Sequence, residues 1–146
     1  MKKAFTMIEL VFVIVILGIL VMVAIPKMSG VTTDAQIAKG QADVATIRAA
    51  IVNERQTRLI RGKTEWIEKL SKDSSKLFTG DGTRTLLQYG ITEGTGAGEW
   101  ERLSTPSTGY ADSYRYRVGS SINLFDYNSS SGTFSCSSGN ECSELN

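Results

Sequence analysis

Glu9 is the only charge in an otherwise uncharged stretch from Phe5 to Ile25, and Leu10 to Ile25 carries no polar side chain at all. A carboxylate inside lipid costs roughly 2.5–3.5 kcal/mol even on the lenient insertion scale, so Glu9 needs a partner. Other catalytic chemistry is thin. The chain has no His, which removes the commonest metal ligand and the usual neutral-pH acid–base group. Its two Cys cannot build a Cys-only zinc site. Readings as a metalloenzyme or as a Ser–His or Cys–His hydrolase therefore fail. Gly62-Lys63-Thr64 has the end of a phosphate loop, but Thr57 stands where that motif needs Gly. Gly94-Thr95-Gly96-Ala97-Gly98 has the start of a dinucleotide turn, but Glu99 takes the third glycine position. Asp112, Asp126, Glu141 and Glu144 carry oxygens of the kind calcium takes, yet no loop shows ligand spacing, and no cofactor is expected.

The elements that must position Glu9 follow from length and patterning. At 146 residues, with 41% hydrophobic residues, the chain predicts one folded domain. Its 16 Lys and Arg nearly balance 15 Asp and Glu, which argues against a generally basic nucleic-acid binder. The distribution is uneven. Lys27 to Lys72 holds nine basic and five acidic residues, whereas Asp73 to Asn146 holds five basic and nine acidic ones. About 20 apolar residues in a helix span the roughly 30 Å hydrocarbon core of a bilayer, and Phe5 to Ile25 meets that length. Lys2 and Lys3 before the run orient its amino end toward the cytoplasm. A secretory signal peptide would have a shorter apolar region, about 7–15 residues, and a small-x-small cleavage site. Here the run ends in Ile25-Pro26-Lys27-Met28. A core helix of this uniformity would need burial all round, which so small a chain does not offer.

Lys2-Lys3-Ala4-Phe5-Thr6-Met7-Ile8-Glu9-Leu10, followed by the unbroken Val11 to Ile25 run and Pro26, resembles the class III signal of type IV pilins and type II secretion pseudopilins. The resemblance covers roughly the first 30 residues; beyond them it rests on architecture. It implies cleavage by a prepilin peptidase between Ala4 and Phe5, with Ala4 at the position where the family usually has Gly. It implies N-methylation of the new Phe5 amino terminus, and a helix that serves as membrane anchor and then as filament core. In the family, the Glu of one subunit neutralises the amino terminus of its neighbour. Glu9 inherits that role by resemblance, the alternative being a surface Glu favoured by the dipole at a helix start. Gly18 and Pro26 predict a kink or local opening, and filaments of the resembled family loosen near these positions. Gly18 also suits close packing between membrane helices.

From Val31 the pattern becomes periodic. Ile37, Val44 and Ile51 recur every seven residues, with Ile47 and alanines 38, 42, 45 and 49 filling the stripe. This predicts an amphipathic helix from about Thr33 to about Arg61, stopped by Gly62. Arg48, Arg55, Arg58, Arg61 and Lys63 give it a basic far end. That end reads either as a phosphate-binding stripe for DNA or as a solvated face whose cations suit the helix carboxyl end. The solvated face is the expectation.

Thr64 to Leu70 predicts a short helix capped by Thr64. Ser71 to Pro106 reads as loops with a short strand near Leu86 to Ile91. Ser113 to Val118, Ile122 to Tyr127 and Gly132 to Cys136 read as three strands, separated by turns at Gly119-Ser120-Ser121 and Asn128 to Ser131. The fold class is α+β: a long amino-terminal helix, apolar then amphipathic, covered by a small antiparallel sheet in a pilin-like arrangement. The divisions are a leader peptide at 1–4, a transmembrane and filament-core helix at 5–26, its amphipathic continuation at 27–62 and a globular head at 63–146.

An exported head sits in an oxidising compartment, and Cys136 and Cys142 are expected to pair there. The resemblance supports this, since many pilins close a carboxyl-terminal loop with a disulfide. Closing so short a loop contributes only about 2 kcal/mol. Asp126-Tyr127-Asn128-Ser129-Ser130 fits the acidic extended sequon of some bacterial oligosaccharyltransferases, which makes Asn128 a glycosylation candidate. The reading is a non-enzymatic, pilin-like subunit of an envelope-spanning filament, either a type IV pilus or a type II secretion pseudopilus. Its expected partners are other pilins, a prepilin peptidase and the bacterial inner membrane, with the head in the periplasm before assembly. Two alternatives stay open: a DNA-binding minor pilin of a competence system, and a membrane-anchored periplasmic protein that never assembles.

Overall fold

The computed structural model describes residues 5–72 and 75–146, with the backbone alone described over 23–29. Helix α1 covers Met7–Ile60. It is followed by β1 (Lys76–Leu77), β2 (Ile91–Thr92), β3 (Trp100–Arg102), β4 (Asp112–Val118), β5 (Ser121–Asn128), β6 (Thr133–Ser138) and α2 (Cys142–Leu145). A long amino-terminal helix with a four-stranded antiparallel sheet in the order β3-β4-β5-β6 makes this an α+β, pilin-like fold. β1 and β2 form a separate two-stranded antiparallel pair. The chain divides into two compact units, Met1–Asp34 and Ala35–Asn146.

In the second unit, α1 buries Gly40, Val44, Ile47, Ile51 and Glu54, a stripe of alternating four- and three-residue steps that keeps one helix face toward the core. Val44, Ile47 and Ile51 share that core with Trp100 of β3, Tyr114, Tyr116 and Val118 of β4, Phe125 and Tyr127 of β5 and Phe134 of β6. Alternation along β4 places Tyr114, Tyr116 and Val118 on the buried face, leaving Arg115 and Arg117 half-buried on the other. The alanines 38, 42, 45 and 49, expected to fill the buried stripe, are exposed instead. They fall two residues out of phase with Gly40, Val44 and Ile47, which at about 100° per residue turns them to the opposite side. Gly40 permits the close approach: a Cβ there would lie 2.5 Å from the Tyr116 ring and 2.7 Å from Leu145.

The aromatic core is satisfied at its polar tips. Trp100 Nε1 donates to Asp43 at 3.0 Å, the Tyr127 hydroxyl donates to the Ile67 carbonyl at 2.8 Å, and Tyr114 bonds Ser71 Oγ at 2.7 Å. Burial pushes the Tyr116 phenol up to about 12, with the nearby Asp43 charge acting in the same direction.

The end of α1 matches the expectation at Gly62, which adopts φ 73°. The Gly62 N–H donates to the Leu59 carbonyl and the Lys63 N–H to the Arg58 carbonyl, both at 3.0 Å, the paired bonds of a Schellman cap. The helix expected over Thr64 to Leu70 does not form. Its backbone groups are taken by distant partners: the Trp66 carbonyl by Arg58, the Ile67 carbonyl by Tyr127, and the Leu70 N–H by Asp112. The strand expected near Leu86 to Ile91 is only Ile91–Thr92, and β1 and β3 arise inside the region expected to be loop. Trp100 enters the core where the surrounding glycines gave no strand signal.

Asp112 is fully buried, with its carboxylate accepting from Arg102 at 2.5 Å, from Leu70 N–H at 2.7 Å and from Ser71 N–H at 3.4 Å. Asp112→Ala strands Arg102 and two backbone donors and is expected to cost about 3 kcal/mol or more. Urea unfolding of the full chain in detergent, followed by loss of the sheet signal, measures it. A loss under about 0.5 kcal/mol, the size of an ordinary surface substitution, would contradict this role.

Candidate assembly site

Phe5 and Thr6 precede α1, and Thr6 caps it. The Glu9 N–H donates to the Thr6 carbonyl at 3.1 Å and to Thr6 Oγ1 at 3.4 Å, with Leu10 N–H on the same carbonyl at 3.3 Å. Thr6-x-x-Glu9 has capping-box spacing, so Glu9 stands in the first turn, where the helix dipole favours a carboxylate. This gives Glu9 a local role that sequence reading weighed only in general terms. Every described residue from Phe5 to Met22 is exposed. Leu10, Val11, Phe12 and Val13 are 55%, 55%, 65% and 44% exposed, and four consecutive positions cover the whole circumference. A helix apolar all round belongs in lipid or among other helices, because water penalises every face. A Cβ on Gly18 would meet nothing within 4 Å, so no contact among the described residues requires glycine there.

Among the described residues no helix is long and apolar enough to cross a membrane. The apolar sequence run extends to Ile25, past the last residue whose side chain is described before 23–29. Ala4, on one side of the expected cleavage, lies outside the described residues, as do Lys2 and Lys3; Phe5, on the other, is 79% exposed. The backbone is helical at both Gly18 and Pro26, the latter with its side chain outside the described set.

In the second unit the outer face of α1 carries its own seam. Ala35, Ala38, Ala42, Ala45, Ala49, Val52 and Leu59 are all exposed and step by three and four residues, with only Gln56 polar in the series. Small residues at this spacing let another helix approach closely.

The basic end of α1 is the expected solvated face only at Arg61 and Lys63. Arg58 bonds Glu54 at 3.1 Å, Asp81 at 3.4 Å and the Trp66 carbonyl at 3.1 Å, while Arg84 reaches Glu54 at 2.7 Å. Burial raises the Asp81 carboxyl, but hydrogen bonds from Thr83 and Arg84 and the Arg58 charge outweigh it, holding the group below the usual value. Arg55 sits 4.9 Å over the Trp66 ring, and Arg48 donates to the Phe134 carbonyl at 2.9 Å. Three of the five cations are thus built into the head. Arg61 and Lys63 stay exposed beside an open groove of about 720 Å³, where Glu65, Glu68 and Asp81 set negative charge against Lys63 and Arg58. A phosphate track needs cations in excess, and this groove does not supply them.

Cys136 and Cys142 form a disulfide, Cα–Cα 5.3 Å, that joins β6 to α2. The four acidic residues considered for calcium are dispersed. Asp112 is held by Arg102, Asp126 accepts from Ser113 and Ser137, and Glu141 accepts from Asn123 at 2.9 Å. Among the described residues no group of three or more His, Cys, Asp or Glu is placed to hold a metal. Asn128 ends β5, half-buried, with its side-chain carbonyl accepting the Ser130 N–H at 2.9 Å. The acidic member of its sequon, Asp126, is buried at 3% exposure.

Arg58→Ala is expected to destabilise the head by about 2–3 kcal/mol, because it leaves Glu54 and Asp81 short of a cation. Its effect on the salt dependence of DNA binding is expected to be nil. Denaturant unfolding and a salt titration of DNA affinity, run on the same variant, measure the two. A drop of one in the salt slope with stability unchanged would restore the phosphate-stripe reading.

No family model matches the chain, and no solved structure matches it. Among curated proteins, the chain is 48% identical over 48 residues to the type IV narrow pilus major component PilA5 of Thermus thermophilus, a stretch that is 33% of this chain and 41% of that one. The chain therefore covers less than half the length of the curated relative it matches. Taken with the long amino-terminal helix and the four-stranded antiparallel sheet, this partial match makes the chain similar to the type IV pilins.

Proposed function

We propose that this chain is a structural, non-enzymatic subunit of a helical surface filament, assembled through its amino-terminal helix. The observation that carries the reading is the helix that is apolar on every side, without cover among the described residues, and marked by one carboxylate in its first turn. Lipid satisfies such a surface while the subunit is stored in the inner membrane with its head in the periplasm. Neighbouring helices satisfy it in the filament. The divisions follow the sequence: residues 1–4 as leader, 5–26 as anchor and filament core, 27–62 as the amphipathic continuation and 63–146 as head.

A prepilin peptidase cuts between Ala4 and Phe5 and methylates Phe5. The new amine lies beside the start of α1, and a buried carboxylate is tolerated when it meets such a charge. Glu9 of one subunit meets the amine of its neighbour and sets the stagger. Gly18 and Pro26 are where the helix yields as subunits pack. The exposed alanine seam gives the second unit a face of its own on which a neighbouring helix packs. The filament is a type IV pilus, the class named for the relative, with a type II secretion pseudopilus as the sister assembly of the same design. The engagement of Arg48, Arg55 and Arg58 within the head weighs against a DNA-binding minor pilin.

Amino-terminal mass spectrometry of the protein from its native membrane, with and without the prepilin peptidase, tests the processing. A mature chain beginning at N-methylated Phe5 is expected. An intact Met1 or a cut after Pro26 would sink the reading and leave an anchored protein that never assembles. Glu9→Gln separates the assembly role from the cap, because it removes the charge while the Glu9 N–H bonds to Thr6 belong to the backbone. Filament yield is expected to fall on the order of 100-fold, with membrane levels unchanged, since a neighbour's buried amine loses its counter-charge. Normal filaments from Glu9→Gln would leave Glu9 as a first-turn carboxylate alone.

A further inference from the structure

β6 is the outer strand of the four-stranded sheet, and Thr133 to Ser138 contains no charge and no proline to discourage another strand from pairing with it. Three of its backbone groups nevertheless have side-chain partners. The Cys136 N–H donates to Asn146 Oδ1 at 2.8 Å, the Cys136 carbonyl accepts from Asn146 Nδ2 at 3.2 Å, and the Phe134 carbonyl accepts from Arg48 Nε at 2.9 Å. The Asn146 amide thus makes the two-point contact that a peptide group of a fifth strand would make. Arg48 Nη2 holds that amide in place, donating to the same Oδ1 at 3.0 Å. α2 delivers it: Leu145 is buried at 1% exposure, and the disulfide ties Cys142 back to Cys136. The opposite edge is closed differently. There Glu93 accepts the Arg102 N–H at 2.9 Å, and β3 also carries the charges of Glu101 and Arg102.

We infer that Asn146, braced by Arg48 and tethered by the Cys136–Cys142 disulfide, is an edge guard that closes β6 against pairing with β6 of a second copy of this chain. The disulfide makes the guard redox-dependent. A dithiol reductant supplies two electrons and two protons, the S–S bond breaks to two thiols, and the dithiol becomes a disulfide. α2 is then no longer tied to β6, and the Cys136 backbone is released for strand addition.

The test uses the full chain in detergent micelles, with amide exchange at β6 and sedimentation as readouts. Asn146→Ala, with the disulfide intact, is expected to speed exchange of the Cys136 amide by about tenfold. It is also expected to add a concentration-dependent oligomer in which that amide is protected again. Asn146→Asp keeps the acceptor for the Cys136 N–H and is expected to retain most of the protection, which separates loss of the guard from loss of the fold. Dithiothreitol on the unsubstituted chain is expected to reproduce Asn146→Ala. Unchanged exchange at Cys136 in Asn146→Ala, or an oligomer in which Cys136 stays unprotected, would overturn the guard. Full protection after reduction would overturn the tether.

Discussion

The carboxylate of Asp112 lies at the first position of β4 with no exposed surface, and a bare charge there would be too costly to fold around. Arg102 from the adjacent β3 and the N–H groups of Leu70 and Ser71 make it tolerable. In return, the carboxylate draws the chain leaving α1 across the end of the sheet. Ser71, so placed, bonds both Tyr114 and the Phe78 N–H, and Phe78 accepts φ 60° to put its ring against Trp100 and Tyr114. A conformation that rare for a bulky residue persists only where the surroundings impose it. The covering of the core by residues 63–72 and 75–80 therefore rests on one ion pair and the donors around it.

The same logic of imported partners governs the rest of the head. Glu54 ends the buried stripe of α1 as a charge, and Arg58 and Arg84 compensate it. Tyrosine and tryptophan replace phenylalanine where a polar tip meets a carbonyl or a carboxylate. The unit from Ala35 onward is closed in this sense: its core is filled and its buried polar groups are largely paired. The apolar stretch of α1 before it is the opposite case, since its large side chains find no cover within the described chain.

Much of this was legible in order along the chain. The uninterrupted run from Phe5 to Ile25, the periodicity at Val44, Ile47 and Ile51, the stop at Gly62 and the β4 and β5 strands all follow from local pattern, because hydrophobic period and glycine conformation act within a few residues. Thr64 to Leu70 shows where such reading ends. Its composition suits a helix, yet its carbonyls and amides are claimed by Arg58, Tyr127 and Asp112, the last 42 residues away from Leu70. β3 was hidden for a related reason: three residues are too few to show alternation, and pairing with β4 is what makes them a strand.

The sequence alone determined the two chemical characters of α1, because an apolar run and a seven-residue repeat are properties of residue order. It also determined that a carboxylate would stand in the first turn, since Thr6 and Glu9 are three apart. The tertiary structure decided which side of the helix the core would take, turning alanines 38, 42, 45 and 49 outward because Gly40 allows the closest approach of Tyr116. It decided that Arg48, Arg55 and Arg58 would be structural rather than solvent-facing, because their partners lie on elements far along the chain. Long-range electrostatic pairing and close packing depend on which distant groups meet, and local order does not record that.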